Sequence, residues 1–271
     1  MKQILILSAE PSDCERMESL SSRMEGCAFS FCSLAALKGL FKKTRFKRRL
    51  KNAVSRADLI LVSPAAHAAQ MQTLGKPVLP LPEGVDFEAF HSVMERNLPF
   101  PSDLFTVKNP IIGQTGPIDA DANLPYIETA ARAHPEWAFV FVGPVRAELS
   151  SWEGLPNIHL LGEKPRNHLP AYISRFDVCV NTAKSEDSSP VRLYEYLAAG
   201  KPIVSTPHPA QVLDYTEAVY LAGTPEEFIA CCKKAIGERD AWKARRRVEY
   251  GRAASWDARA AELERVLKEM E

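Results

Sequence analysis

The chain has 271 residues, of which 46% are hydrophobic and 25% are charged, and its 34 Lys and Arg residues balance its 34 Asp and Glu residues. This composition is typical of a globular protein long enough for two domains, and it excludes an intrinsically disordered chain. No run of 18 apolar residues occurs, and the six cysteines lack zinc-ligand spacing, so we expect a soluble or peripheral cytoplasmic protein with reduced thiols.

The first half of the chain alternates short apolar runs with segments of helical composition. The apolar runs predict strands at residues 3–8, 28–34, 58–63 and 77–81. The segments between them predict helices at 13–25, 35–57 and 64–74. This βαβαβαβ order predicts a small Rossmann-like domain over residues 1–90.

One of these helices carries a concentrated positive charge. Nine Lys or Arg residues lie between Lys38 and Arg56, and no acidic residue occurs between Gly26 and Ala57. Apolar residues leave an incomplete stripe on the same segment: Leu34, Leu37, Phe41, Phe46, Leu50 and Val54. The segment is consistent with a helix that lies on an anionic membrane surface at its cytoplasmic face, and equally with a solvated helix packed on its own sheet. Nucleic acid is disfavoured as a partner because no recognition motif or aromatic stacking platform accompanies the charge.

The second half repeats the alternation after a junction at residues 82–90, PEGVDFEAF. Residues 91–109 contain scattered prolines without a sustained period and predict a linker. Predicted strands follow at 110–114, 138–142, 159–161, 178–181, 203–205 and 219–221, with predicted helices at 122–133, 169–176 and 225–236. We therefore expect a second Rossmann-like domain over residues 110–240, and C-terminal helices over 241–271 that return toward the first domain.

The most informative stretch begins at Asp187 and continues to Pro207 as SSPVRLYEYLAAGKPIVSTP. Ser188 and Ser189 are suitable N-caps and Pro190 suits a first helical turn, so a helix is predicted to begin here with free backbone N–H groups directed at an anion. Gly200 is suited to end that helix, and the following apolar run predicts a buried parallel strand.

This stretch resembles the donor-site signature of retaining glycosyltransferases of the GT-B architecture, in particular family 4. The second Glu of the family's paired pattern matches Glu195, and the residue eight positions earlier is Asp187, a shorter carboxylate than the usual Glu. The segments "IIGQTGPID", "FVFVGP" and "LPNIHLLGEKPRNHLPAYISRFDVCVNTA" resemble other family segments, in the expected order. The segments "PEGVDFEAF" and "ASWDARAAELERVL" resemble the family's domain junction and its closing helix.

The resemblance implies an α/β fold of two Rossmann-like domains, the first one small, and a retaining, metal-independent transfer of sugar from a UDP- or GDP-linked donor to a glycan or lipid-linked acceptor. No cofactor is expected. By the same resemblance, Glu195 binds the donor ribose, the loop from Gly162 to Pro165 with Glu163 borders the nucleobase, and Gly116 lets the backbone approach a sugar or phosphate. The residues expected to face the transferred sugar or to stabilise the leaving diphosphate are Asp187, Ser188, Ser189, Arg192 and Lys184.

Three alternatives remain open from the sequence. Glu195 and Arg192 are three positions apart on a helix and are available to each other as an ion pair. The loop GQTGPIDADAN lacks the cations that family members often place there, and we interpret Asp119 and Asp121 as a helix-capping, solvated pair rather than a metal site. The short first domain, with the glycine-free loop AEPSD after its first strand, is also consistent with a glycosyltransferase-like binding protein that transfers sugar weakly or not at all.

Overall fold

The structure, a computed structural model, describes residues 1–8, 18–33, 51–63, 71–72, 75–95, 97–185 and 188–270. Its internal contacts define two compact units, Met1–Gly84 with Ser255–Glu271, and Val85–Ala254. The first boundary therefore falls just before the predicted linker. The C-terminal segment, expected as one group of helices, is divided between the two units.

The first unit is built on a four-stranded parallel sheet in the order β2-β1-β3-β4. Its strands are β1 (Lys2–Ser8), β2 (Cys27–Ser33), β3 (Leu59–Ser63) and β4 (Val78–Pro80). Successive side chains of a strand point to opposite faces, and the unit has one core on each face. Ile4 and Ile6 of β1 belong to one core, and Leu5 and Leu7 belong to the other.

Described helical segments cover both faces of this sheet. The C-terminal helix Trp256–Glu269 joins the core of Ile4 and Ile6 through four buried side chains: Trp256, Ala260, Leu263 and Leu267. Residues 51–56 are helical, and Val54 is buried against Leu5 and Leu7 on the other face. Val54 is therefore a core residue rather than part of an exposed apolar stripe. Residues 35–50 of the predicted basic helix lie outside the described residues.

The second unit contains a six-stranded parallel sheet in the order β10-β9-β8-β5-β6-β7. Its strands are β5 (Ile111–Thr115), β6 (Ala138–Val142), β7 (Ile158–Leu160), β8 (Val178–Asn181), β9 (Ile203–Ser205) and β10 (Val219–Leu221). Its helices are α1 (Phe87–Glu95), α2 (Leu124–Ala133), α3 (Leu169–Arg175), α4 (Val191–Ala198), α5 (Pro225–Ile236) and α6 (Ala241–Ala253), and the C-terminal helix of the first unit is α7. Two parallel sheets with flanking helices confirm the predicted α/β class.

Residues 91–109 are not an irregular linker. Helix α1 includes residues 91–95, and a short 3₁₀ helix spans Ser102–Leu104. Phe87, Phe90 and Leu104 are buried in the core of the second unit. The prolines of this segment therefore lie between α1 and the 3₁₀ helix, and both helices pack on the second unit.

Helix α6 is held to the second unit by a buried charged group. The Arg247 side chain is fully buried, and its guanidinium donates two 2.6 Å hydrogen bonds to the Glu238 carboxylate and one of 2.8 Å to the Ala218 carbonyl. Paired donors on a carboxylate offset the cost of removing both charges from water. Gly251 brings α6 against the backbone of α4. Within the described residues, no helix combines the length and apolarity needed to cross a bilayer.

Candidate functional site

The second sheet changes its direction of growth at β5. From β5 the chain adds β6 and β7 on one side and then crosses over to add β8, β9 and β10 on the other. Ligands of open parallel sheets bind beyond the carboxyl ends of the strands at such a switch point. A cavity of about 520 Å³ lies here, lined by Thr115 and Gly116 at the end of β5 and by Asn181 and Ala183 at the end of β8.

Helix α4 closes one wall of this cavity with its first turn. Val191 and Arg192 line the cavity together with Ser188 and Ser189. The helix begins after Pro190, which occupies the N-cap position without a side-chain cap, so the predicted capping by the two serines is wrong in its register. Ser189 Oγ instead accepts a 3.4 Å hydrogen bond from the Val191 N–H. The first-turn N–H groups of a helix lack intrahelical partners and favour an anion.

Arg192 stands against the loop that follows β5. Gly116 has a φ of +85°, and a Cβ added there would lie 3.0 Å from Arg192 Nη2. The same Nη2 donates a 3.2 Å hydrogen bond to the Pro117 carbonyl. A Cβ at Gly143 would collide with the Gly116 carbonyl oxygen at 2.0 Å, so two glycines allow the loop to pass this close. The loop after β5 contains no Lys or Arg, but Arg192 of α4 places a positive charge beside it.

Glu195 is the buried carboxylate of the cavity. It is 4% exposed, and its Oε1 lies 2.8 Å from Arg166 Nη2. Burial raises the pKa of the Glu195 carboxyl, and the guanidinium groups of Arg166 and Arg192 partly offset that rise. The ion-pair partner of Glu195 is thus Arg166 and not Arg192, which the sequence left open as an alternative; Arg192 Nη2 donates to the Pro117 carbonyl.

The Asp119 and Asp121 side chains are half-buried in the cavity wall rather than solvated. Asp119 Oδ1 accepts a 3.1 Å hydrogen bond from the Asp121 N–H, and Asp121 Oδ2 accepts one from Ser188 Oγ. The N-cap of α2 is Asn123, so neither carboxylate caps that helix. In the part of the chain that the structure describes, no group of three or more His, Cys, Asp or Glu side chains is arranged to hold a metal ion.

The structure brings five of the predicted site residues into the cavity lining: Gly116, Ser188, Ser189, Arg192 and Glu195. Lys184 lies outside that lining, since it is exposed and its Nζ donates a 3.2 Å hydrogen bond to the Ala120 carbonyl. Gly162 and Glu163 also lie outside it, with Gly162 at a φ of +69° and Glu163 exposed. Asp187 lies outside the described residues.

Sequence reasoning missed Arg166 as a cavity residue. It follows β7 and comes directly after the loop from Gly162 to Pro165, which was expected to border the nucleobase. One sequence signal could have identified Arg166: it is a basic residue in the loop after the carboxyl end of a predicted strand, where ligands of such sheets bind. Lys164 itself forms a 2.8 Å ion pair with Asp103 and holds this segment to the second unit.

Solved structures share this fold. Anabaena HepE in complex with UDP aligns with 99% of this chain and 100% of its own, at a TM-score of 0.69 and 10% identity. A glycosyltransferase from Rickettsia africae aligns with 99% of this chain and 98% of its own, at a TM-score of 0.65 and 11% identity. The chain therefore has the GT-B architecture, as its sequence predicted.

Sequence comparisons relate the second unit to known glycosyltransferases. Residues 114–238, which contain the whole cavity, match the model of the family described as glycosyl transferases group 1. TuaH of Bacillus subtilis (strain 168), named as a putative teichuronic acid biosynthesis glycosyltransferase, is 29% identical over 191 residues. That match covers 64% of this chain and 46% of TuaH, so the chain spans less than half the length of this curated relative. The second unit is therefore similar to glycosyl transferases group 1 over residues 114–238.

Proposed function

We propose that the cavity binds a nucleotide sugar and that the chain is a glycosyltransferase, which transfers the sugar to a glycan or lipid-linked acceptor. One observation supports the binding most directly: Arg192, the first turn of α4 and the buried Glu195 meet in one cavity at the switch point of the sheet. In HepE, the same fold is found in complexes with UDP and with UDP-glucose. A UDP-linked donor is therefore our first expectation, with a GDP-linked donor as the second.

Different polar groups of the cavity suit the ribose, the diphosphate and the sugar of such a donor. Glu195 offers carboxylate oxygens to the two ribose hydroxyls, while Arg192 and the α4 N-terminus stabilise the diphosphate. Asp121 and Ser188 offer hydrogen bonds to sugar hydroxyls. The predicted contact of Asp187 with the sugar belongs to the same proposal.

The chemistry that follows is stabilisation of the leaving diphosphate. Negative charge develops on the diphosphate as its bond to the sugar breaks, and a guanidinium held by Pro117 is already oriented for it. We propose that this charge makes a metal ion unnecessary and that transfer retains the configuration of the sugar.

Binding is tested by thermal denaturation with UDP, GDP, ADP and their sugars. A ligand at 100 times its dissociation constant stabilises the folded state by about 2.7 kcal/mol, which is readily seen as a rise in melting temperature. We expect a selective rise with one nucleotide class. If none of these ligands shifts the transition, the proposed donor site is wrong.

Transfer is tested by following nucleotide release with the stabilising donor, in the presence of glycan and lipid acceptors and with EDTA. We expect release that EDTA does not abolish and a product of the same anomeric configuration as the donor. Donor binding without any acceptor-dependent release would favour the binding-protein alternative, and an inverted product would overturn retention.

A further inference from the structure

The ion pair between Arg166 and Glu195 joins two side chains of opposite exposure. The Glu195 side chain is 5% exposed, whereas that of Arg166 is 54% exposed. A buried carboxylate without a partner is costly, so Arg166 contributes the neutralising charge of Glu195 when the cavity holds no ligand. A ligand that uses the Glu195 oxygens must therefore compete with Arg166 for them.

The two arginines of the cavity differ in how firmly they are placed. Arg192 packs against Gly116 and donates to the Pro117 carbonyl, contacts that do not involve a cavity carboxylate. The contact of Arg166 within the cavity is to Glu195 itself. Arg192 is thus held by contacts other than Glu195. The Arg166 guanidinium pairs with Glu195 and also lies over the Phe90 ring, 5.8 Å from the ring centroid.

The backbone that carries Arg166 is anchored next to it. Lys164 forms a 2.8 Å ion pair with Asp103, which also accepts hydrogen bonds of 3.0 Å from Tyr172 Oη. The pKa of the Asp103 carboxyl is lowered by these partners, although its burial opposes the change. Because the neighbouring Lys164 is anchored, a change of partner at Arg166 requires only a movement of its side chain.

We propose that Arg166 is an exchangeable cation that makes the site selective for phosphorylated nucleosides. When a nucleoside diphosphate enters, its ribose hydroxyls replace the guanidinium on Glu195, and the guanidinium pairs with a phosphate oxygen beside Arg192. A nucleoside without phosphate must displace the same guanidinium and offers it no anion in return. This inference rests on the proposed donor site and adds to it the source of selectivity against nucleosides.

The exchange predicts opposite effects of one substitution on two ligands. Arg166→Gln removes the phosphate contact, so we expect UDP to bind at least 10-fold more weakly. It also removes the competitor for Glu195, so we expect uridine to bind as well as to the parent or more tightly. The dissociation constant of uridine divided by that of UDP therefore falls by at least 10-fold. A merely structural role would weaken the binding of both ligands together.

The experiment is calorimetry of the full chain with UDP and with uridine, or with GDP and guanosine if GDP is the stabilising nucleotide. Arg132→Gln is the matched control, because Arg132 is also about half exposed and paired with a carboxylate, Glu128, but lies outside the cavity lining. We expect the control to leave both affinities unchanged. Arg166→Lys keeps the charge and should retain most of the selectivity.

Arg166→Gln leaves Glu195 unpaired, so the double variant Arg166→Gln, Glu195→Gln is included in case the single variant unfolds. In the double variant, we expect the ratio of UDP to uridine affinity to remain low. Unchanged UDP affinity in a folded Arg166→Gln protein, or an equal loss for both ligands, would overturn the exchange while leaving the donor site intact. If the parent binds no nucleotide at all, the donor site itself is wrong.

Discussion

At the scale of single residues, Gly116 combines two constraints that can be separated by substitution. Gly116→Ala places a Cβ on a backbone with a φ of +85° and within 3.0 Å of Arg192 Nη2. We expect a loss of about 1–2 kcal/mol in the free energy of unfolding from the left-handed backbone, together with weaker donor binding from the displaced guanidinium. Chemical denaturation and calorimetry measure the two effects.

Gly154→Ala is the control for that substitution. Gly154 has a similar φ of +76°, but an added Cβ there meets no atom within 4 Å, and the residue lies outside the cavity lining. It should lose comparable stability while binding the donor normally. Normal donor binding by Gly116→Ala would show that donor binding does not depend on the present position of the Arg192 guanidinium.

Glu195 gives a second prediction, on binding and on pH. Glu195→Gln should weaken donor binding by about 1–3 kcal/mol, because it removes a charged acceptor of hydrogen bonds. Burial raises the pKa of Glu195 above its ordinary value of 4.5. Above that ordinary value, the folded state still holds a proton that the unfolded state has lost, so the free energy of unfolding falls as the pH rises toward the raised pKa.

The glutamine side chain of the variant does not titrate, so it contributes no such pH dependence. The stability of the parent relative to Glu195→Gln should therefore decline as the pH rises above 4.5, as measured by urea denaturation at several pH values. A difference that does not change with pH would mean that Arg166 and Arg192 fully compensate the burial. Unchanged donor affinity would contradict the ribose contact.

The sequence was informative about some of these residues for a physical reason. Arg192 and Glu195 lie on one helix, where a spacing of three places them on the same face, and both line the cavity. The partner of Glu195 was not predictable in this way, since Arg166 comes from another segment. Its approach depends on how the segment after β7 folds over the cavity.

At the scale of elements, the position of α4 depends on its contact with α6. A Cβ at Gly251 of α6 would lie 2.4 Å from the Ala198 nitrogen and 2.6 Å from its Cα, at the C-terminal end of α4. Backbone atoms cannot yield as a flexible side chain does. We expect Gly251→Ala to lower the free energy of unfolding by about 1–3 kcal/mol and to weaken donor binding by shifting α4.

Gly237→Ala provides the comparison for this helix contact. An added Cβ at Gly237 meets only ordinary contacts of 3.6 Å and 3.7 Å with the carbonyls of Lys233 and Lys234. We expect it to be close to neutral in denaturation and in binding. If Gly251→Ala is equally neutral, the two helices are less tightly packed than their backbone distances imply.

The basic segment Lys38 to Arg56 remains a prediction at this scale. Each Lys or Arg near an anionic lipid surface contributes about 1 kcal/mol, which salt screens. We expect co-sedimentation with anionic vesicles that weakens as salt is added, and less binding after charge reversal of the exposed Lys51 and Arg56. Equal recovery with neutral vesicles would favour the solvated helix, an account that the burial of Val54 already supports for its last turns.

Strands of the second unit were predicted closely because they are short apolar runs between more polar segments. The predicted strands at 138–142, 178–181, 203–205 and 219–221 have the bounds found in the structure. Helix α1 was missed, although Phe87 and Phe90 have helical spacing and are both buried. The prolines that follow it concealed a helix of only nine residues.

At the scale of the whole molecule, each hydrophobic core lies within one unit. The two cores of the second unit contain only residues between Val85 and Ala254, and all residues lining the cavity belong to the same unit. We therefore expect a fragment of residues 85–254 to fold cooperatively and to bind the donor nucleotide within a few-fold of the full chain. Circular dichroism and calorimetry test this, and a fragment that folds but does not bind would contradict the assignment of the site to this unit.

The division of the C-terminal helices was beyond sequence reasoning at this scale. Only two residues, Ala254 and Ser255, separate helices α6 and α7, and both helices contain many charged residues. The first carries the buried Arg247 and packs on α4, whereas the second completes the core of the first unit. Which unit each helix packs against depends on the surface of that unit, and the sequence of the helix itself does not indicate it.

That division has a consequence for how the protein is made. Ile4 and Ile6 leave the ribosome before residues 85–254, but the helix that completes their core, Trp256–Glu269, is translated only after those residues. At about 5–20 residues per second, this delay lasts on the order of ten seconds or more. The nascent first unit, in which Leu20 and Met24 cover only part of this surface, therefore presents apolar side chains to chaperones while the second unit is already able to fold.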